Sequence, residues 1–569
     1  MKTKIIILIT VCFAAAAYIT WPKRTAGSIE RADNYEAVVQ DFDEMSYKRT
    51  LNGAVSVVCD GINITNYKYN FKMTERMEIL FPDDFMEDVM GCSVLKYDDE
   101  NYVVLRRDTR IELKVGSEVI KINGIETDIE PAVSEDESGR IYIPMDDLSK
   151  VLGFDVSYNY EFNCITVENK DDNNYLPDRY DMREDKRVTP VRDQGFYGTC
   201  WAFASLGALE TSLMPYEEDI YSIDHMTHNN SYNLDINAGG EHTMSIAYLA
   251  SWQGPVYEKD DVYGDEETDE NLKAVKHLEE AIIINERDDK ILKSAVFKYG
   301  GIETSLYLAM DYYGHYSKYF DDDHHCYYYD GKEVPNHDVV IVGWDDNYPK
   351  ENFTITPEHD GAFICKNSWG TGFGEDGYFY VSYDDVNIGN QAIVYTRLSG
   401  SDNFDNIYQS DMLGWVGKLG FGESSAYFAN CYTAEKDEEL AAVSFYATGN
   451  DAKFSVYYVT DFKDDQSFRN RKYVVSGASK YAGYYTVRFP EKIKLKKGEK
   501  YAVLVYINTP GDDKPIAVEY KADEKTDKFD ISDGEGYISL SGDIWKKAED
   551  NGCNVCLKAF TDDINKEGE

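Results

Sequence analysis

The stretch "QGFYGTCWAFASLGALE", Gln194 to Glu210, sets one cysteine between a glycine-rich approach and a run of helix formers. From Trp201 onward the apolar residues Ala202, Leu206 and Leu209 recur at helical spacing. A helix with one buried face is predicted, and Cys200 falls in its first turn. There the unsatisfied amides and the helix dipole favour an anion, which lowers a thiol's pKa. A thiolate is useful only beside a proton acceptor.

Nine histidines compete for that role. His324 and His325 sit in "DDDHHCYYYD", which reads as an exposed acidic loop. His337 differs, because "PNHDVVIVGWDD" places it at the mouth of an apolar strand, Val339 to Trp344, of the kind buried on both faces. A rigid strand end fixes an imidazole accurately. Further on, "GAFICKNSWGTGFGEDGYFYVSY" (Gly361 to Tyr383) supplies Asn367 and then Trp369 before a strand over Tyr378 to Tyr383. An amide oxygen can accept the imidazole N–H and leave the other ring nitrogen facing a thiol, while an adjacent indole shields that bond. Gln194 can aim an amide N–H at a developing oxyanion, together with the backbone N–H of Cys200.

On these motifs, residues 175–398 resemble a papain-family cysteine peptidase. The cysteine signature reads Tyr197, Gly198, Thr199, Cys200, Trp201, and His337 and Asn367 follow in the family's order. "DRYDMRE" and "VTPVRDQG" are similar to the start of its mature domain; "YSIDHM", the pair Gly239 and Gly240, and "GGIETSLYL" are weaker landmarks. The resemblance implies Cys200 as nucleophile, His337 as proton carrier, Asn367 as its orienting partner and Gln194 as oxyanion donor, with no metal or organic cofactor. Three departures stand out. Tyr197 replaces a cysteine that forms a disulfide in many relatives, which implies a core held by packing. Asp338 follows His337 where a small residue is usual, with its side chain expected to point away from its neighbour's. No long amphipathic helix precedes Leu176, so the family's usual helical inhibitory propeptide is not expected.

Upstream, Lys2 and Lys4 precede the apolar stretch Ile5 to Thr20, with small residues from Ala14 to Ala17. This reads as an export signal over 1–25, with an uncleaved anchor as the weaker alternative; Cys12 inside it does not look like a lipid-attachment site. A repeat follows: "ILFPDDFMEDVMGCSV" (Ile79 to Val94) aligns with "YIPMDDLSKVLGFDV" (Tyr142 to Val156) at an offset of 62. Each copy reads as strand, proline-started short helix, glycine stop and strand. Residues 30–169 resemble copper amine oxidase N-terminal-like modules. They hold no histidine, none occurring before His225, so a stalk or pro-region is expected rather than a copper site.

Residues 400–562 alternate apolar and polar side chains in short runs such as "KFSVYYVT" and "KYAVLVYIN", separated by turns such as "KKGEK", the signature of an antiparallel sandwich. Its opening, "DNIYQSDMLGW", and the domain order resemble the lectin-like domain that follows papain-type domains in secreted clostridial proteins. Its tyrosines could stack on sugars or simply cover a sheet.

Composition agrees with a large folded chain. It has 569 residues, 43% hydrophobic and 14% aromatic, which excludes dominant disorder. With 58 basic and 104 acidic side chains the formal charge is −46, a surface that repels nucleic acid and anionic membrane. Ten cysteines are sparse for an exported chain of this length, and the pair Cys553 and Cys556 reads as structural. The expectation is a multidomain α+β chain: a papain-like peptidase domain flanked by small strand–helix–strand repeat modules and a C-terminal antiparallel β-sandwich. Peptide or protein is the expected substrate and a carbohydrate or cell-wall polymer a partner for the C-terminal domain, with no nucleic acid and no stable membrane insertion. The site of action is outside a bacterial cell, free or wall-associated. Two other functions share these features: a catalytically silent adhesin, and an acyl transferase that passes the thioester to an amine.

Overall fold

The structure is a computed structural model that describes residues 56–564, interrupted by short stretches of which 64–70, 171–175 and 311–316 are the longest. The expected export signal over 1–25 lies outside the described residues. No helix among the described residues is long and apolar enough to cross a membrane.

The two repeat copies share one core. Strand Ile141–Pro144 runs antiparallel to Ile79–Pro82, and Ser56–Cys59 runs parallel to Cys164–Asn169. Short helices follow the paired strands, at Asp83–Asp88 and Leu148–Val151. Pro82 and Pro144 close their strands rather than open the helices, because a residue without an N–H is tolerated where a ladder stops. Phe81, Phe85, Ile143 and Phe154 meet in the common core. Arg106 knits the copies: its Nε donates to the Met90 carbonyl at 3.0 Å, and its guanidinium lies 4.1 Å from the Phe154 ring centre. Between the copies, Ser93–Lys96 to Ile125–Asp128 form a five-stranded meander that the repeat alone does not suggest.

In the middle region the helix Cys200–Leu213 is central. Every residue from Cys200 to Thr211 is buried, so a single apolar face through Ala202, Leu206 and Leu209 is too narrow a description. The reason is position: helices Ile223–His228 and His242–Ala250 and three strands all pack against it. One of those strands, His337–Asp345, lies between Ile302–Leu306 and Ala362–Lys366 and is covered on both faces, as its unbroken apolar run demands.

The C-terminal region is a sandwich. A six-stranded sheet containing Lys472–Ser479, Ala452–Val459, Lys500–Asn508 and Ser425–Thr433 packs on strands Glu438–Ala447, Ala482–Leu495 and Leu557–Asp563. Phe428, Phe445, Phe454, Val503 and Val505 fill the space between. An expected division at 398 to 400 falls inside the strand Ala392–Gly400, and the sheet does not stop there. Ala392–Gly400 pairs with Lys276–Ile284, which pairs in turn with Ala482–Leu495 of the sandwich. The two regions therefore share one continuous sheet. The N-terminal module touches this assembly through Glu168, whose carboxylate pairs with Lys480 at 3.2 Å.

Candidate active site

Two rigid elements meet at their beginnings. The helix begins at Cys200 and the central strand begins at His337. Phe203 and Ala204 share a small cavity with Asp338 and Val339, Gly207 faces Val340, and Thr211 lies beside Gly301. Helix and strand thus advance in the same direction, which brings Cys200 to the His337 end. Close approach of the incoming loops needs glycine: a Cβ on Gly240 would sit 2.6 Å from the Trp201 ring. This accounts for Gly240 as a packing requirement, while Gly239 takes a φ of 68° that favours glycine.

His337 and Asn367 are joined directly. His337 Nε2 lies 2.7 Å from Asn367 Oδ1, and both residues are buried. The Ser368 backbone N–H also donates to that oxygen, at 2.8 Å. A backbone N–H can only donate, so the atom it meets is the amide oxygen. Nε2 must then carry the ring proton, and Nδ1 is left as the free acceptor. Trp369 covers the bond, its ring centre 4.9 Å from that of His337. Burial drives the imidazole down to about 4 against the upward effect of Asn367, so by itself it is neutral at neutral pH.

Gln194 sits on the other side. Its Oε1 accepts from Ser368 Oγ at 2.6 Å, and one N–H of its amide donates to the Tyr197 carbonyl at 2.9 Å. That leaves one amide N–H for another acceptor. The backbone holds the residue as firmly: Gln194 N donates to Ser368 O, and Gln194 O accepts from the Tyr263 hydroxyl, both at 2.8 Å. Tyr263 in turn meets the Thr199 hydroxyl at 2.8 Å, which explains why Thr199 makes no side-chain cap on the helix it precedes. Tyr263 and Ser368 escape sequence reading. Ser368 is hidden in plain sight next to Asn367; Tyr263 carries no local signal at all.

Behind the site runs a buried charge chain. Arg192, two residues before Gln194, pairs with Glu210 on the helix at 2.9 Å. Thr189 Oγ1 donates to the other Glu210 oxygen at 2.5 Å and accepts from Lys366 Nζ at 3.0 Å. Lys366 precedes Asn367 and is pushed down to about 8 by burial. Glu210 thus ties together the segments that carry Cys200, Gln194 and Asn367. Replacing Glu210 with Gln leaves Arg192 with Glu258 alone, at 3.3 Å, and takes the nearby negative charge from Lys366, and the expected loss is about 2 kcal/mol of folding free energy in urea unfolding. An unchanged midpoint would remove the chain from the stability of the site.

Asp338, the departure next to His337, accepts from Ser305 Oγ at 2.5 Å, away from the imidazole's partner. Burial pushes its carboxyl up to about 6. Among the described residues no three His, Cys, Asp or Glu side chains converge as a metal cage requires. Among the described residues no disulfide is formed.

Residues 176–396 match the family model for papain family cysteine protease, 407–561 that for a lectin-like domain, and 65–167 that for copper amine oxidase N-terminal domain. The viral cathepsin of Heliothis zea nuclear polyhedrosis virus is 29% identical over 212 residues, 36% of this chain and 52% of that protein. Mouse cathepsin K is 28% identical over 239 residues, 41% of this chain and 67% of that one. The chain thus spans between half and two thirds of these curated relatives. A crystal structure of the cysteine protease and lectin-like domains of Cwp84, a surface layer associated protein of Clostridium difficile, matches 68% of this chain and 89% of its own. Its TM-score is 0.59 and its sequence identity 26%. The chain therefore carries a papain-like peptidase domain followed by a lectin-like domain.

Proposed function

We propose that the chain is an exported thiol endopeptidase that hydrolyses peptide bonds in peptide or protein substrates. The observation that carries this reading is the oriented imidazole: His337 bonded through Nε2–H to Asn367, its Nδ1 open, at the end of the strand where the helix begins with Cys200. In the reaction the Cys200 thiolate attacks the scissile carbonyl carbon, and the carbonyl oxygen becomes an oxyanion. The backbone N–H of Cys200 and the spare amide N–H of Gln194 stabilise that charge. The imidazolium of His337 gives its proton to the leaving amine, and a thioester remains. A water then loses a proton to His337 Nδ1 and attacks the thioester, releasing the acid and restoring the thiolate–imidazolium pair. Asn367 holds the ring in one tautomer throughout.

Incubation of the whole chain with a peptide library, read by mass spectrometry, tests the reaction class. Shortened peptides are the expected result. Unchanged peptides would leave a binding protein, and new amide adducts an acyl transferase. Gln194→Ala is expected to lower kcat by about 10²–10³ with little change in KM, because its donor matters only as charge develops. Asn367→Ala should fall between that variant and loss of the thiol, since His337 remains but loses its orientation. Unfolding midpoints measured alongside separate chemistry from scaffold, as Gln194 also bridges Tyr197 and Ser368. A Gln194→Ala enzyme with parental kcat would end its oxyanion role.

Export is part of the proposal. It is supported by the basic start and apolar stretch Ile5 to Thr20, and by likeness to a surface layer associated protein. Detection of the chain outside the producing cells, shortened near the alanine run, is the expected outcome.

A further inference from the structure

The C-terminal domain holds a depression of about 770 Å³ lined by tyrosines and cations. Tyr457, Tyr458 and Tyr473 supply aromatic rings, and Arg469, Arg471 and Lys472 supply charge. The chain as a whole has 104 acidic and 58 basic side chains, yet three of its cations fall within four consecutive positions here. Several cations elsewhere are matched: Arg192, Arg397, Lys418, Lys480, Arg488 and Lys558 all lie against carboxylates. Arg469, Arg471 and Lys472 form no ion pair with the described residues. The carboxylate of Asp543 shares the lining without pairing with them.

The depression is built, not loose. Arg471 Nη1 donates to the carbonyls of Phe468 and Gly542, at 3.3 and 3.1 Å, and its guanidinium lies 5.5 Å from the Tyr427 ring centre and 6.0 Å from that of Tyr457. Beneath, Phe468 packs on Trp545 with ring centres 4.1 Å apart. Lys472 Nζ stands 5.4 Å from the Tyr458 ring, and Tyr473 meets Tyr457 edge-on at 5.9 Å while remaining 43% exposed. An immobilised guanidinium with donors to spare suits carboxylate or phosphate oxygens. An exposed tyrosine face suits the CH face of a sugar ring. The volume suits a mono- or disaccharide unit.

We infer that this depression is a binding site for acidic saccharides, in which Arg469, Arg471 and Lys472 take a carboxylate or phosphate group while Tyr473 stacks on the sugar ring. Nucleic acid also offers phosphates and rings, but it carries a charge at every step, and a chain of −46 repels a dense polyanion. A glycan with one anion per repeat presents its charge only where the cations stand. The site lies in the sandwich and uses none of the groups proposed for peptide hydrolysis, so it stands or falls separately from that reading.

Affinity electrophoresis of the full chain through gels containing hyaluronan (one carboxylate per disaccharide), a phosphomannan, a neutral galactan or single-stranded DNA tests the inference. Retardation by one or both acidic polymers and none by the galactan is expected, with the two acidic gels distinguishing carboxylate from phosphate. Arg469→Gln and Lys472→Gln alter exposed side chains, and each should weaken retention about tenfold, the loss of one charge-assisted hydrogen bond. Tyr473→Ala should weaken polymer retention several-fold at unchanged net charge. Equal retention by galactan, no retention by either acidic polymer, or retention unaffected by Arg469→Gln and Lys472→Gln would each overturn the site. Tighter retention by DNA than by the acidic polymers would overturn the saccharide in favour of a nucleic acid.

Discussion

Cys200→Ala is expected to drop kcat to background, on the order of 10⁵–10⁶ below the parent, while leaving the unfolding midpoint nearly unchanged. The second half of the same experiment is electrostatic. Burial lowers the His337 imidazole to about 4, and only Asn367 opposes it. An ionic thiolate–imidazolium pair therefore depends on the thiolate's own charge to hold the proton on Nδ1. Alanine removes that anion, so the imidazolium loses its partner and the ring should titrate near 4 in the variant. In the parent it should keep its proton to a distinctly higher pH, as followed by the imidazole NMR signals. Alkylation adds a chemical check. At mildly acidic pH Cys200 should react first, because burial pushes Cys92 up to about 11 and Cys326 and Cys553 up to about 12, and holds Cys365 well above the ordinary thiol range. Rapid modification of Cys326 with Cys200 spared, or a His337 that stays protonated at pH 6 in Cys200→Ala, would falsify the assignment of the pair.

What could be read from the sequence, and what could not, follows the range of the interactions. Cys200, His337 and Asn367 were legible because each sits on a strong local pattern: a helix start, the mouth of a buried strand, the turn before another strand. The bond between His337 and Asn367 spans only adjacent strands, so it is found where the pattern places it. Tyr263 is different. It anchors Gln194 and Thr199 from a loop more than sixty positions away, and nothing around "DVYGD" marks it. The helix Cys200–Leu213 shows the same limit from the other side. Its residues Phe203, Ala204 and Ala208 lie off the face predicted through Ala202, Leu206 and Leu209 but are buried because neighbours arrive from several directions. In the repeat region the offset was plain, yet sequence similarity between copies does not say whether they fold apart or together. Pairing of Ile79–Pro82 with Ile141–Pro144 does.

The continuous sheet was least legible, since it depends on Lys276–Ile284 meeting Ala482–Leu495 some two hundred positions later, and it carries the last prediction. At this seam Glu279 is buried among Arg397, at 3.3 Å, Arg488 from the sandwich, Ser399 and Asn403. Burial pushes its carboxyl up, but Arg397 and Arg488 win and hold it down to about 2. Glu279→Gln removes the charge that both arginines share, Arg397 keeping Glu280 at 3.7 Å, and the expected cost is about 3 kcal/mol, or a few °C in Tm for a chain of this length. Because the folded pKa lies below the unfolded value of about 4.3, the parent's advantage is complete above that pH and disappears as pH falls toward 2. The gap in stability between parent and variant should therefore close in strong acid and not in alkali. Backbone makes the same seam: Gly483 has φ +154, and a Cβ there would lie 2.2 Å from the Ala281 carbonyl, so Gly483→Ala should prise the strands apart. Cutting the chain to residues 175–398 goes further, exposing the edge of Lys276–Ile284 to solvent. That fragment is expected to aggregate or to melt well below the whole chain, whatever its intrinsic chemistry. A soluble, monomeric fragment with the parent's Tm would mean that the peptidase region is complete without the sandwich, and that the shared sheet contributes nothing to holding the site.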